Sequence, residues 1–371
     1  MKHDFSCRGA RPGALSQITM IRRYPSEWEK QKAVWLSWPH NEKEWGKGRL
    51  GELGKFYTNL ISTILRFQDV NLIFPNVETC HGMSLQNEKH KLKKIIIPNN
   101  DIWIRDYGPF FAEHRSVIAR RHKVPTKQSP NVIRDEIASV AMLPRNDVFI
   151  LDFQFNAWGE KFPPYDLDNN VPKEIATYLG MEIESYPMIL EGGALDFNGD
   201  GIVLTTEECI LNKNRNKNLT KEKAENLIKS AFNINEIIWL KRGLIGDHTD
   251  GHIDNVARFI GKDKILISCA NKDNENYEHL QRSKKLLEER FEVIDIPLPE
   301  VKDKKGNNLP ASYINFIFVN GGIIVPTFKS KTDDGALEIF HKLFPDRIII
   351  GFDCSLLIEE GGGLHCMSKQ E

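Results

Sequence analysis

The sequence predicts an α/β fold in which similar ββαβ units are set around a common axis. Three observations carry this reading. A polar motif, a strand, a Gly/Asn/Asp turn and a second strand recur in "EGGALDFNGDGIVLTT" (191–206), "GHIDNVARFIGKDKILIS" (251–268) and "SYINFIFVNGGIIVPT" (312–327). The stretch "RDYGPFFAEHRSVIAR" (105–120) follows the same order with a less obvious turn. The turns NGDG, GKDK and NGG are hairpin chemistry, and helix-period stretches lie between the hairpins. A doubly wound sheet would want longer parallel crossovers and few hairpins. Repeats that close in a ring bring equivalent strand ends together at its centre.

The elements follow in order. Short β-branched runs predict strands at 32–38, 70–74, 94–98, 147–153, 202–206, 237–240, 264–268, 323–327 and 347–351. Apolar residues at three- and four-residue spacing predict helices at Leu53–Arg66, Pro172–Leu179, Lys221–Phe232, Asn276–Arg290 and Gly335–Phe344. The polar stretch at 113–136 reads as an insertion or long surface loop, and the insertion is taken to run to about 147. Residues 1–22, rich in Gly, Pro, Ser and basic side chains, are expected to be a poorly ordered extension. No Gly/Ser or Pro-rich linker divides the remainder, so 23–371 is read as one domain.

Composition narrows the function classes. Lys plus Arg is 50 and Asp plus Glu is 51, so no basic surplus exists to attract nucleic acid or an anionic membrane. Cys7, Cys80, Cys209, Cys269, Cys354 and Cys366 are scattered with no CxxC pair, which reads as reduced thiols in a cytoplasmic protein. The first residues lack the apolar run of a signal peptide, and no later stretch approaches a membrane span.

Each repeat starts on unusually polar residues where a buried strand end is expected. "NNDIWIRDYGP" (99–109) holds Asp101, Arg105 and Asp106, "EGG" holds Glu191, "DHTDGHIDN" (247–255) holds His252 and Asp254, and "GGGLHC" (361–366) holds Cys366. If the repeats share a centre, Asp106, Glu191, His252, Asp254 and Cys366 converge there. His252 and Asp254 are two apart and share a strand face, whereas His365 and Cys366 are neighbours and face opposite ways. That makes His252 the better partner for the thiol.

A thiolate is a strong nucleophile and an imidazole moves protons. Carboxylates around a thiol raise its pKa and suppress its reactivity, unless the substrate brings positive charge. A guanidinium does so, is planar, and pairs bidentately with carboxylates. Trp103 offers a flat cation–π face. Bland alternatives stand beside each residue. Cys366 lies five residues from the end and reads equally as a tail thiol, Asp106 as a local partner of Arg105, and Glu191 as a loop acid. "DFNGDGIVLTTE" (196–207) fits an EF-hand loop in ligand positions, but strands flank it, so a hairpin turn is the reading taken. "HTDGH" (248–252) imitates a helical zinc spacing without the usual Glu and with a helix-weakening Gly.

Together with "YPSEWEKQKAVWLSWPH" (24–40), "NDIWIRDYGP" (100–109), "DFQFNAWGEKFPPYDLDNNV" (152–171), "EGGAL" (191–195), "DGHIDNVARF" (250–259), "PASYINFIFVNGGIIVPTF" (310–328) and "GGGLHC", the chain resembles the agmatine deiminases. These belong with bacterial peptidylarginine deiminases to the guanidino-modifying, or pentein, superfamily. The resemblance implies a five-bladed α/β propeller of pseudo-repeated ββαβ units. It also implies a Cys366 nucleophile, His252 as acid and base, guanidinium-binding carboxylates at Asp106 and Asp254, and Glu191 in support. Trp103, His248 and Asp250 are the substrate-binding residues it implies.

The reaction implied is hydrolysis of agmatine, a small cationic guanidine, to N-carbamoylputrescine and ammonia in polyamine biosynthesis, with neither metal nor organic cofactor. A homo-oligomer is left open. Where relatives often carry Asp before the Thr of this stretch the chain has His248, and its terminal motif is shorter than "GGGNIHC". Two other readings remain: a deiminase of free or C-terminal arginine, and a non-catalytic pentein scaffold.

Overall fold

The computed structural model describes residues 17–80, 89–126 and 129–371, without the side chains of 17–20 and 115–147. The strands are β1 (Gln17–Arg23), β2 (Ala33–Ser37), β3 (Asp69–Phe74) and β4 (Leu92–Ile96). Then come β5 (Phe110–Thr126), β6 (Ser129–Gln154), β7 (Ile183–Ile189), β8 (Asp196–Phe197), β9 (Ile202–Thr206) and β10 (Glu236–Leu240). The last are β11 (Ala257–Gly261), β12 (Lys264–Cys269), β13 (Glu292–Pro297), β14 (Ile317–Val319), β15 (Gly322–Thr327), β16 (Ile348–Asp353) and β17 (Ser368–Gln370).

They form five sheets, ordered β1-β5-β6-β7, β10-β9-β8, β11-β12-β13, β14-β15-β16 and β17-β2-β3-β4. Each is one blade. Antiparallel pairs open the blades, as β8 on β9, β11 on β12 and β14 on β15, and a third strand then joins in parallel. A parallel neighbour cannot be reached by a tight turn, and one parallel crossover in each blade is made by a helix. These helices are Lys47–Ile64, Asp166–Leu179, Lys221–Phe232, Tyr277–Glu288 and Asp333–Leu343. The remaining blade closes differently: β17 pairs antiparallel with β2, so the last strand completes the first sheet.

Local chemistry explains the helix limits. Lys221–Phe232 starts on Thr220, whose side chain accepts from the Lys223 N–H, and stops at Asn233 in a left-handed conformation. Lys47–Ile64 buries Leu53, Phe56, Tyr57, Leu60, Ile61 and Ile64 along one stripe. It begins six residues before the predicted Leu53, because burial of that stripe carries a first turn containing Gly48 and Gly51. Asp166–Leu179 runs through Pro172, the residue the sequence reading took as its start. Tertiary packing of Val171 and Ile175 overrides the proline signal. β2 is buried along all five residues, as expected for a strand covered on both faces.

Three readings change. "RDYGPFFAEHRSVIAR" is not a hairpin: its strand portion belongs to β5, whose antiparallel partner is β6 beyond residue 129. The 113–136 stretch read as a surface loop is part of that strand pair, with register shifts that absorb its irregular pattern. Of the expected N-terminal extension, 17–22 belong to β1, paired with β5, and 1–16 lie outside the described residues. "DFNGDGIVLTTE" forms the β8–β9 hairpin, and its Asn198 side chain accepts from the Asp200 and Ile202 N–H groups within the turn. Among the described residues no helix is long and apolar enough to cross a membrane.

Candidate active site

A short turn precedes the opening strand of every blade, and these turns carry the charged residues. Ile104–Tyr107 leads into β5 and carries Asp106; Gly192–Ala194 follows Glu191 and leads into β8. Ile253–Asn255 follows His252, includes Asp254 and leads into β11. Turns at 313–315 and 364–367 lead into β14 and β17 and bring Asn315, His365 and Cys366.

These residues meet. A Cβ placed on Gly193 would fall 2.5 Å from His252 Nδ1, 2.9 Å from Asp106 Oδ1 and 3.0 Å from Asp254 Oδ2. Three functional groups from two other blades thus close on one backbone position, which only glycine leaves open. Cys366 Sγ lies 3.9 Å from Asp254 Oδ2 and takes an Asn315 Nδ2–H at 3.2 Å. Asn315 Oδ1 also accepts the backbone N–H of His365 at 2.9 Å, so one amide holds the whole turn. His252 Nδ1 is 3.7 Å from Asp106 Oδ1 and Nε2 is 3.5 Å from Glu191 Oε2. Both separations exceed a good hydrogen bond, and both ring nitrogens are buried without a hydrogen-bond partner.

Charge follows burial. Asp106 is pushed up to about 6 by burial, with Asp254 and Glu191 adding and His252 opposing. Burial, Asp254 and Asp106 push the Cys366 thiol well up. Burial works against a charged His252, yet the Asp106 carboxylate and the Cys209 and Glu191 contacts hold its pKa well above the usual imidazole value. Burial also penalises the Glu191 anion, but Arg215, with Nε at 2.8 Å, keeps that pKa low. A wholly buried thiol beside carboxylates is unreactive until a cation arrives.

A narrow cavity opens onto this centre, lined by Asp106 and Cys366, by Trp103, Trp158 and Phe162, and by His248 and Thr249, with Glu44, Glu360, Gly361 and Gly362 completing it. Trp158 Nε1 donates to Asp106 Oδ2 at 2.9 Å. A Cβ on Gly362 would lie 2.1 Å from the Trp103 ring, so the glycine run lets Trp103 form the wall. The structure therefore brings together Cys366, His252, Asp106, Asp254 and Glu191, and puts Trp103 and His248 on the cavity. Asp250 is not a lining residue. Arg215, Asn214 Nδ2 (2.9 Å) and Lys161 Nζ (2.5 Å) hold it aside.

Sequence reading missed Asn315, although "SYINF" was seen to open a repeat, and Trp158 and Phe162, although "NAWGEKF" was noted. It also missed Glu44 and Glu360, for which no local signal exists. Among the described residues, Glu191, Cys209 and His252 are the group of three able to hold a metal ion, with ligand atoms within 4.8 Å of one another. Arg215 already neutralises Glu191 there. "HTDGH" is not helical, since Asp250 and Gly251 have φ of 61° and 92°.

Blades that each hand a polar or reactive residue to one hub mark the pentein class of guanidino-group-modifying enzymes. The chain belongs to the Porphyromonas-type peptidyl-arginine deiminase family, whose model matches residues 23–371. It is 31% identical over 358 residues to a putative agmatine deiminase of Legionella pneumophila, covering 94% of both. It is 30% identical to the agmatine deiminase of Medicago truncatula, covering 94% of this chain and 95% of the relative. Among solved structures, a cysteine-to-serine variant of the C. jejuni agmatine deiminase with substrate bound is 32% identical, with a TM-score of 0.79, covering 95% of this chain and 96% of that one.

Proposed function

We propose that the chain hydrolyses agmatine to N-carbamoylputrescine and ammonia, a step of polyamine biosynthesis, in the cytoplasm. The observation that carries the reading is a buried thiol and the Asp106 carboxylate on a cavity walled by indoles, with the Asp254 carboxylate buried behind the thiol at 3.9 Å. A guanidinium docked between those carboxylates supplies the positive charge that their pairing requires. It also stabilises the Cys366 anion, so nucleophile and substrate activate each other.

Cys366 Sγ attacks the guanidinium carbon, and His252 delivers a proton to the departing nitrogen, which leaves as ammonia. The remaining thiouronium is attacked by water whose proton passes to His252. The C–S bond then breaks, giving the ureido product and restoring the thiol. Asp106 and Asp254 hold the positive charge in both steps, and Glu191 keeps His252 oriented. Trp103 and Trp158 exclude bulk water.

The far end of the cavity selects among guanidines. Its lining includes Glu44 and Glu360, the second already paired with Arg49 at 2.6 Å. An ammonium tail fits beside Glu44, whereas the carboxylate of free or C-terminal arginine meets like charge there. The test is a panel of agmatine, arginine and an arginine peptide, with ammonia and ureido product both measured. Agmatine is expected to exceed arginine at least ~100-fold in kcat/KM, with no turnover by Cys366→Ser. Preference for either arginine substrate, or an active Cys366→Ser variant, would overturn the reading.

A further inference from the structure

His365 stands beside the nucleophile and takes no part in the chemistry above, yet it is the most heavily committed imidazole of the site. Its Nδ1 lies 2.7 Å from Asp254 Oδ2, and its Nε2 lies 2.8 Å from Glu27 Oε1. The ring is 1% exposed. Two carboxylates at hydrogen-bond distance from the two nitrogens of one ring need two protons among the three groups. Burial and the Arg105 and Arg258 charges pull the His365 pKa down, against Glu27 and the Asp254 hydrogen bond, and the chain Glu27–His365–Asp254 is a buried line of contacts of fixed geometry, not a pair of incidental ones.

Glu27 is itself anchored. Arg105 Nη1 meets its Oε1 at 2.9 Å, and Arg258 Nη2 meets its Oε2 at 2.6 Å. Arg105 also donates from Nε to the His365 carbonyl at 3.1 Å and from its backbone N–H to the Cys366 carbonyl at 3.0 Å. Arg258 is fully buried and also reaches Asp196 Oδ1 at 3.1 Å. The turn bearing the thiol and the carboxylate beside it are thus referenced to the same two guanidinium groups.

The consequence for Asp254 is specific. Oδ2 is taken by His365, while Oδ1 is buried with no hydrogen-bond partner. A buried carboxylate oxygen left without a donor is costly, and Asp254, behind the cavity wall at Cys366, keeps this one acceptor unfilled. We propose that His365 is a positioning residue, anchored by Glu27, that fixes the Asp254 carboxylate with one oxygen held and one presented to the guanidinium. The role rests on the reading that Asp254 receives the guanidinium. It does not make His365 an acid or base in the reaction.

Two substitutions separate the ends of the ring. The amide nitrogen of Asn falls near the position of Nδ1, and that of Gln near Nε2. His365→Asn keeps the donor to Asp254 and loses Glu27; His365→Gln keeps Glu27 and frees Asp254. Stability falls in both, so stability alone cannot produce a difference between them. KM for agmatine is expected to stay within about threefold of wild type in the Asn variant and to rise at least ~10-fold in the Gln variant. The Gln variant is also expected to show a second protonation on the acid side of kcat/KM, below that of Asp106, because Asp254 loses the donor that holds its pKa down.

Equal KM values in the two variants, or a Gln variant with wild-type KM, would overturn the assignment. If the Gln variant does not fold, nitrogen-15 histidine NMR of the wild-type protein gives the same answer. Both His365 ring nitrogens must appear hydrogen-bonded, and agmatine must shift Nδ1; an unmoved Nδ1 overturns the proposal. Calorimetric binding of agmatine to Cys366→Ser serves as the control. A protein that neither binds nor turns over agmatine defeats the functional reading itself, whereas normal binding with an unresponsive His365 defeats only this assignment.

Discussion

Asp106 titrates at about 6, displaced upward by burial and by the Asp254 and Glu191 charges, against the pull of His252. A guanidinium needs that carboxylate ionised. Above pH 6 it is an anion and pairs with the cation; below pH 6 it is neutral and the counter-charge is lost. kcat/KM for agmatine should therefore fall about tenfold per pH unit on the acid side of ~6. Binding to Cys366→Ser near pH 6 should also release a fraction of a proton, read by calorimetry in buffers of different ionisation enthalpy. A flat profile between pH 5 and 7 with no proton release would show that Asp106 does not bind the cation. Cys366 was legible at this level because a thiol after three glycines is unusual. Glu44 and Glu360 were not, since an exposed-looking acid in a polar stretch has no signature until a cavity forms beside it.

The turn Gly192–Ala194 contributes through what it lacks. With a Cβ at Gly193 the imidazole and both carboxylates would each be met at 3.0 Å or less. None of the three can retreat, since His252 and Asp254 are fully buried and Asp106 is held by the Trp158 and Gly193 N–H groups. Gly193→Ala is expected to cut kcat/KM at least ~100-fold while leaving most of the fold's stability, measured by thermal melting alongside turnover. Near-normal activity would place the reacting groups elsewhere. Hairpins were readable at this level, because NGDG, GKDK and NGG state their turn chemistry locally. The end of β6 was read as the strand at 147–153, but its first part from Ser129 was not, because polar residues in a long strand pair lack the alternation that marks a half-buried strand.

Ring closure depends on three residues of pairing. Ser368, Lys369 and Gln370 pair with Leu36, Trp35 and Val34, and Glu371 ties in through Lys32, Trp35 and Asn71. Removing 368–371 opens the β2 edge of the first blade and loosens the turn that carries Cys366. Each lost hydrogen bond is worth roughly 1 kcal/mol, so a cost of several kcal/mol is expected. Thermal melting should show a clearly lower midpoint, and activity should vanish with it. An unchanged midpoint would mean that β17 does not close the ring.

Spacing and composition alone specified the repeated units, the crossover helices and the residue types at the hub. These are local properties: turn residues, apolar periodicity and polar motifs at strand starts are written within a dozen residues of one another. The roles within the hub were not local. "LHC" places two reactive side chains side by side, but which one meets Asp254 through a hydrogen bond and which one faces the cavity depends on Glu27, Asn315 and Asp254 arriving from other blades. Asp250, adjacent in sequence to the motif that supplies His252, is turned aside by Arg215. Glu27 and His365, 338 positions apart, become neighbours only when the ring closes, so their hydrogen bonds, burial and charge are set by the closed ring.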